Sequence, residues 1–242
     1  MNNYHNHYLT GLKDGLPIGL GYLSVSITIG IAAINAGLPA WSAILMSLTN
    51  LTSAGQVEGI AVIAALGSYF ELALTQLTIN LRYFLMSLTL SQKMDDRVTL
   101  PQRLIVSFGI TDEIFAVSSA KIGNLGCFYM LGLMTLPIIG WTAGTALGAV
   151  AGSLLPEFIR SALGIAVYGM FLAIIIPPAK KERTVLIAVV IAAALSCALT
   201  YIPYINQISG GFAVIIFAVA ASAFCAWKFP IKDEPAKGEA PQ

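Results

Sequence analysis

From Leu16 to Trp227 the chain is a succession of apolar runs, separated by short polar or proline-containing turns. This pattern constrains the fold more than any single motif, because a spanning helix needs about 20 mainly apolar residues. Apolar residues make up 57% of the chain and charged residues 10%, with a mean hydropathy of +0.81. Soluble domains carry about 25% charged residues. The reading is an all-α, polytopic integral membrane protein with about six to eight transmembrane helices.

Taken in order, the first span is Leu16–Ala36, closed by Gly37-Leu38-Pro39; Gly11, Gly15 and Gly19 put a flat face on its start. Ala40–Gly67 is interrupted by a polar stretch from Thr49 to Gln56, with Glu58 just beyond. It is long for one crossing and short for two, which predicts two half-helices. Glu71–Leu90 has Leu74, Leu77, Leu81, Leu85 and Leu88 on one face, assigned to lipid, and polar side chains on both flanks. Leu104–Ala120 is short and contains Asp112 and Glu113. In Leu125–Ser153 the residues Gly140, Gly144, Gly148 and Gly152 recur every fourth position, the spacing of a close helix-packing face. Ser161–Ile176 is predicted to end at Pro177-Pro178, and Thr184–Tyr201 and Ile208–Trp227 complete the set. The expected organisation is a cytoplasmic N-terminal tail over 1–15, one transmembrane domain over 16–227, and a disordered cytoplasmic tail over 228–242.

Lys and Arg mark cytoplasmic loops. The Lys180–Arg183 loop and the tail from Lys228 are placed inside, and the uncharged Tyr201–Asn206 loop outside. If the loop with Lys93, Arg97 and Arg103 is also inside, Leu104–Ala120 enters and returns on the cytoplasmic side. Ala40–Gly67 then does the same from the outside. The alternative is a set of eight ordinary spans, which puts that cationic loop outside. Opposed broken elements meeting near the midplane are a feature of transporters.

Four charged groups lie deep in apolar segments: Glu58, Arg82, Asp112 and Glu113. An ionised carboxylate in lipid costs about 3 kcal/mol or more, so such groups face a partner or a water-filled cavity. Arg82 is about 12 Å from either end of its helix, too deep to snorkel, and needs an internal acid or carbonyl. The bland reading is a set of ion pairs that fix packing; buried pairs, however, are poor stabilisers. Gly109 and Thr111 sit beside the two acids, where a helix can break, and broken helices expose backbone groups able to bind solute or ions. Ser53, Gln56 and Asn80 are further candidate contacts, or ordinary interhelical hydrogen bonders.

The net charge of +1 gives no basic field for nucleic acid. Cys127, Cys197 and Cys225 lie far apart in apolar segments and form neither a disulfide framework nor a metal motif. His5 and His7 read as solvated tail residues. No P-loop, HExxH or GxSxG signature is present, so the sequence predicts neither an enzyme nor a cofactor. No cationic leader with a cleavage site is recognisable.

Ala54-Gly55-Gln56, Asn80-Leu81-Arg82-Tyr83-Phe84-Leu85-Met86 and Thr111-Asp112-Glu113-Ile114-Phe115-Ala116, in that order, resemble the three signature stretches of the AzlC family. That family comprises large subunits of branched-chain amino-acid exporters. The resemblance implies export of valine, leucine and isoleucine across the cytoplasmic membrane, together with a small AzlD-type membrane partner of about four helices. It places motif positions on Gln56, Asn80, Arg82, Asp112 and Glu113. Proton exchange is the expected coupling, since one excess acid can carry a proton. The rival readings are a same-fold transporter of another small amphipathic or anionic solute, suggested by Glu58, a passive channel, and a non-transporting assembly subunit built around the Gly140–Gly152 face.

Overall fold

The computed structural model describes residues 7–154, 156–201 and 210–229. Among them the elements are α1 (Tyr8–Asn35), α2 (Ala40–Thr49), α3 (Ser53–Ala64), α4 (Tyr69–Lys93), α5 (Leu100–Phe108), α6 (Asp112–Ala120), α7 (Cys127–Ala151), a 3-10 turn (Gly152–Leu154), α8 (Glu157–Lys181), α9 (Arg183–Tyr201) and α10 (Gly210–Lys228). The protein is an all-α polytopic membrane protein, and both runs expected to break do so: Ala40–Gly67 is α2 and α3, and Leu104–Ala120 falls on α5 and α6. Among the described residues three helices, Tyr8–Asn35, Cys127–Ala151 and Gly211–Lys228, are long and apolar enough to cross a bilayer by themselves. The helices form two compact units, 1–171 and 172–242, with α8 running from one into the other.

The first unit is built on the seam between α1 and α7. Gly132 lies against Tyr8 and Leu12, Gly140 against Gly19, Gly148 against Ile27, and Gly152 against Ile31. Positions on both helices rise together, so the two are parallel along their whole lengths. A Cβ on Gly11, Gly15, Gly132, Gly140 or Gly148 would collide with a carbonyl of the facing backbone. Without side chains at these points the two backbones come close enough for dispersion to hold them without any apolar advantage over lipid. We call the Tyr8/Cys127 end of this frame near and the Asn35/Ala151 end far.

The remaining elements of this unit can be placed by their contacts with the frame. α2 leaves the far end and descends until Ser47 Oγ lies 2.7 Å from Thr145 Oγ1. α3 then climbs back beside it, with Gly59 against the Met46 side chain. α4 descends antiparallel to α3: Gln76 and Asn80 lie against Gly55, and Leu72 lies against Gly59. At the near end the Leu125 N–H donates to the Lys93 carbonyl and the Asp95 N–H to the Leu125 carbonyl, each at 2.9 Å. α5 rises from there to Gly109, which packs on Met134, and α6 returns. Between α1 and α7, therefore, only α4 crosses from far to near. The α2–α3 and α5–α6 pairs each enter and return, from opposite ends.

The return of α6 is fastened by Lys93. Its half-buried ammonium donates to the carbonyls of Ser118, Ser119 and Lys121 at 3.1, 2.5 and 2.5 Å. These carbonyls close the end of α6, where a helix runs out of backbone donors (only that of Ser118 also accepts from a backbone N–H, of Lys121), and a cation there also complements the helix dipole. Lys93→Met should cost about 2 kcal/mol, the worth of charge-assisted hydrogen bonds. The measurable result is faster protease cleavage between Lys121 and Gly126; unchanged cleavage would show that the cap contributes nothing.

Several boundaries differ from the sequence reading. α1 starts at Tyr8, about two turns before Leu16, because its glycine face already packs on α7 there. Asp14 at that level accepts a 2.8 Å hydrogen bond from the Tyr129 hydroxyl. α8 continues through Pro177 and Pro178 to Lys181 rather than stopping before them. Leu77, Leu81, Leu85 and Leu88 of α4 are exposed, as a lipid-facing stripe requires. In the second unit the start of α9 meets the end of α10, where Cys225 Sγ lies 3.7 Å from the Thr184 carbonyl. All three cysteines are free. The expected external loop falls largely on 202–209, and the expected disordered tail on 230–242, outside the described residues.

Candidate functional site

The two breaks are made by the same local chemistry. In the first, Asn50 and Thr52 are extended, with φ of −141° and −95°. Asn50 Oδ1 accepts from the Thr52 N–H at 3.1 Å, and Thr52 Oγ1 caps α3 by accepting from the Gly55 N–H at 3.3 Å. In the second, Thr111 is extended, with φ of −125°, and its Oγ1 accepts from the Ile114 N–H at 3.4 Å. Each threonine satisfies a donor that the new helix start would leave unpaired. Neither break needs a left-handed residue.

Both breaks open on one cleft of about 190 Å³, lined by Thr49, Asn50, Leu51 and Thr52 of the first, Ser107, Phe108 and Ile110 of the second, and Asn80 and Tyr83 of α4. Sites for drug-sized ligands start near 300 Å³, so this cleft suits a smaller solute. Polar atoms converge on it in order. Gln76 Nε2 donates to the Gly55 carbonyl at 2.7 Å, and Asn80 Nδ2 donates to Gln76 Oε1 at 3.2 Å. This chain orients the Asn80 amide and leaves its Oδ1 buried without a protein partner.

Arg82 and Asp112 form an ion pair at 2.9 Å that ties α4 to the start of α6; their side chains are 40% and 29% exposed. They reach the cleft through Tyr83, whose hydroxyl accepts from Arg82 Nη2 at 3.2 Å and whose ring centroid is 5.0 Å from the guanidinium carbon. Asp112 and Glu113 occupy the first turn of α6, where the helix dipole favours negative charge. Glu113 does not share the Arg82 pair. It accepts from the hydroxyl of Tyr22, which also lies 2.7 Å from Thr111 Oγ1.

Gln56 is fully buried and off the cleft wall. Its Oε1 accepts from Trp141 Nε1 at 3.0 Å, and its Nε2 donates to Ser47 Oγ at 2.6 Å. It therefore ties the first break to α7. Ser53 opens α3, half-buried, next to the capping threonine. Glu58 stands apart from the Arg82–Asp112 pair and shares its surroundings with Glu71. Gly140, Gly144 and Gly148 meet α1 backbone in the seam, and Gly152 meets the side chain of Ile31. Sequence reasoning missed Tyr22 and Trp141, whose rings meet edge to face at 5.4 Å. The available signal was their spacing: Tyr22 is three residues after Gly19, and Trp141 follows Gly140, so both flank the glycine faces.

Interrupted helices entering from opposite ends and sharing a small cleft of mixed polar and apolar lining define a polytopic membrane protein of transporter design. The family described as AzlC protein matches residues 17–155, and the chain belongs to the AzlC family. It is 26% identical over 196 residues to inner membrane protein YgaZ of Escherichia coli, covering 78% of this chain and 80% of that protein. It is 32% identical over 175 residues to an uncharacterized membrane protein of Archaeoglobus fulgidus, covering 72% and 76%. The branched-chain amino acid transport protein AzlC of Bacillus subtilis is 28% identical over 173 residues, covering 69% and 66%. No solved structure gives a significant match. The role is membrane transport.

Proposed function

We propose that the chain is the large subunit of a secondary transporter that exports branched-chain amino acids from the cytoplasm, driven by proton exchange. The observation that carries this reading is Asn80, which lines a small cleft between two helix breaks and whose buried Oδ1 acceptor has no protein partner. A buried acceptor left unpaired costs about 1–3 kcal/mol, and an ammonium group donating to it would remove that cost. The α-carboxylate would sit at the start of α3, whose first turn holds no acid and whose free N–H groups attract an anion. Leu51, Phe108 and Ile110 would receive an aliphatic side chain. The branched-chain reading also draws on the printed name of the Bacillus subtilis relative.

Arg82 is already engaged by Asp112, which leaves Glu113 as the excess acid available for the coupling proton. Lys93, Arg97, Arg103 and Lys121 all lie at the near end of the frame, which therefore faces the cytoplasm by the positive-inside rule. By the same rule Lys180, Lys181, Arg183 and Lys228 argue for a cytoplasmic C-terminus, and we read both termini as cytoplasmic, in the inner membrane. A small AzlD-type membrane subunit would complete the exporter.

The test is efflux of preloaded leucine, isoleucine and valine from cells or liposomes, with and without the small subunit and with and without a pH gradient, beside Asp112→Asn. Efflux should require the gradient and fall at least about ten-fold in the variant, the factor that corresponds to losing one charge-assisted contact. No efflux with the small subunit present would overturn the substrate assignment. Efflux indifferent to the gradient would overturn the coupling.

A further inference from the structure

Three observations bear on what Tyr22 does. Its ring is wedged against Trp141 on the rigid α1–α7 frame, at 5.4 Å and 66°. Its hydroxyl meets both Thr111, the residue that caps α6, and Glu113, in the first turn of α6. The other break is tied to the same level of the frame through Trp141, Gln56 and Ser47.

The proton count of this group is restrictive. A phenol has one hydrogen and can donate to only one acceptor. If Tyr22 donates to the Glu113 carboxylate, the 2.7 Å contact with Thr111 is made by the Thr111 hydroxyl donating to Tyr22. Thr111 Oγ1 still accepts from the Ile114 N–H, so the donors run in one direction, from Ile114 through Thr111 and Tyr22 to Glu113. A carboxylate at the end anchors that direction; replacing it removes the final acceptor.

We infer that Tyr22 is a positioning residue: its hydroxyl latches the start of α6 to the α1–α7 frame through Glu113. This deepens the exporter reading and rests on it for its place in a transport cycle. The latch itself is a property of the chain and is tested without any substrate. Break one is fastened by a fully buried neutral amide, whereas break two is fastened by an exposed carboxylate. The second is therefore the one whose fastening changes with the state of a group that solute or proton can reach.

The experiment uses the full-length chain in membranes, carrying Ser107→Cys, just before the second break. A membrane-impermeant maleimide is applied, and labelling of the introduced thiol is followed by peptide mass spectrometry. Tyr22→Phe keeps the ring on Trp141 and removes only the hydroxyl. Labelling should speed up by about ten-fold, as expected for loss of a hydrogen bond to a charged group. Glu113→Ala should give a similar factor, and the double variant no more than either alone, since both remove one interaction. Tyr69→Phe, which deletes a phenol hydroxyl from an exposed side chain, should leave the rate unchanged. A Tyr22→Phe rate within two-fold of the parent would overturn the inference, as would multiplying effects in the double variant. Failure of amino-acid efflux in the parent chain would sink the exporter reading and leave this result standing.

Discussion

Replacing Gly148 by valine should remove most of the folded protein, read as a several-fold loss of the monodisperse peak after detergent extraction. A Cβ at this position collides with the Ile27 carbonyl, and the nearest atoms are all α1 backbone. Backbone has no rotamer to escape into, so the helices must separate, and with them every dispersion contact along the seam. Overpacking a core costs about 1–3 kcal/mol when side chains can give way. Here they cannot, so the cost should reach the upper end of that range or exceed it. Two controls separate this from a general intolerance of substitution. At Gly152 the added atom meets only the flexible side chain of Ile31, and at Gly21 it meets nothing within 4 Å. Gly152→Ala should cost less than Gly148→Ala, and Gly21→Ala should be neutral or stabilising by about 0.5–1 kcal/mol, since alanine is the better helix former. Equal losses at Gly148 and Gly21 would mean that the seam is not what holds the first unit.

That seam also shows what was legible in the sequence and what was not. The glycines of each helix were visible as a fourfold spacing, because a repeat of four keeps residues on one helical face whatever the partner. That the two faces meet each other was not visible, since spacing within a helix carries no information about which helix lies opposite. The two breaks were legible for a different reason. Polar stretches at Thr49–Gln56 and Gly109–Glu113 interrupt apolar runs, and in lipid such groups must be met by protein. The deep charges were legible on the same energetic ground, but their pairing was not: Arg82 could have chosen either neighbouring acid, and only the register of α4 against α6 selects Asp112. Tyr22 was hidden because a tyrosine in an apolar helix is locally unremarked, and its partners are about 90 residues away. The start of α1 was misplaced because Lys13 and Asp14 read as a solvated tail, while the structure gives Asp14 a partner on α7.

Arg82→Ala should abolish transport and also weaken the fold, and the two effects can be separated. The substitution leaves Asp112 without its 2.9 Å partner, beside Glu113, in the middle of the first unit. An unpaired carboxylate at depth costs about 3 kcal/mol. The side chains here are 40% and 29% exposed, so screening brings the loss nearer about 2 kcal/mol. The double variant Arg82→Gln with Asp112→Asn keeps similar shapes and removes both charges. Replacing a buried pair in this way is often neutral for stability, so the double variant should recover most of the thermal stability lost in Arg82→Ala. Efflux is the discriminating measurement. If the pair only fixes the packing of α4 on α6, efflux recovers with stability. If the guanidinium or the carboxylate itself acts on solute, efflux stays at least about ten-fold down although the protein is folded, because the double variant keeps the net charge and removes both groups. The arrangement favours the second outcome: a pair needed only for packing would be expected deep in the core, whereas this one is half open and touches Tyr83 on the cleft wall.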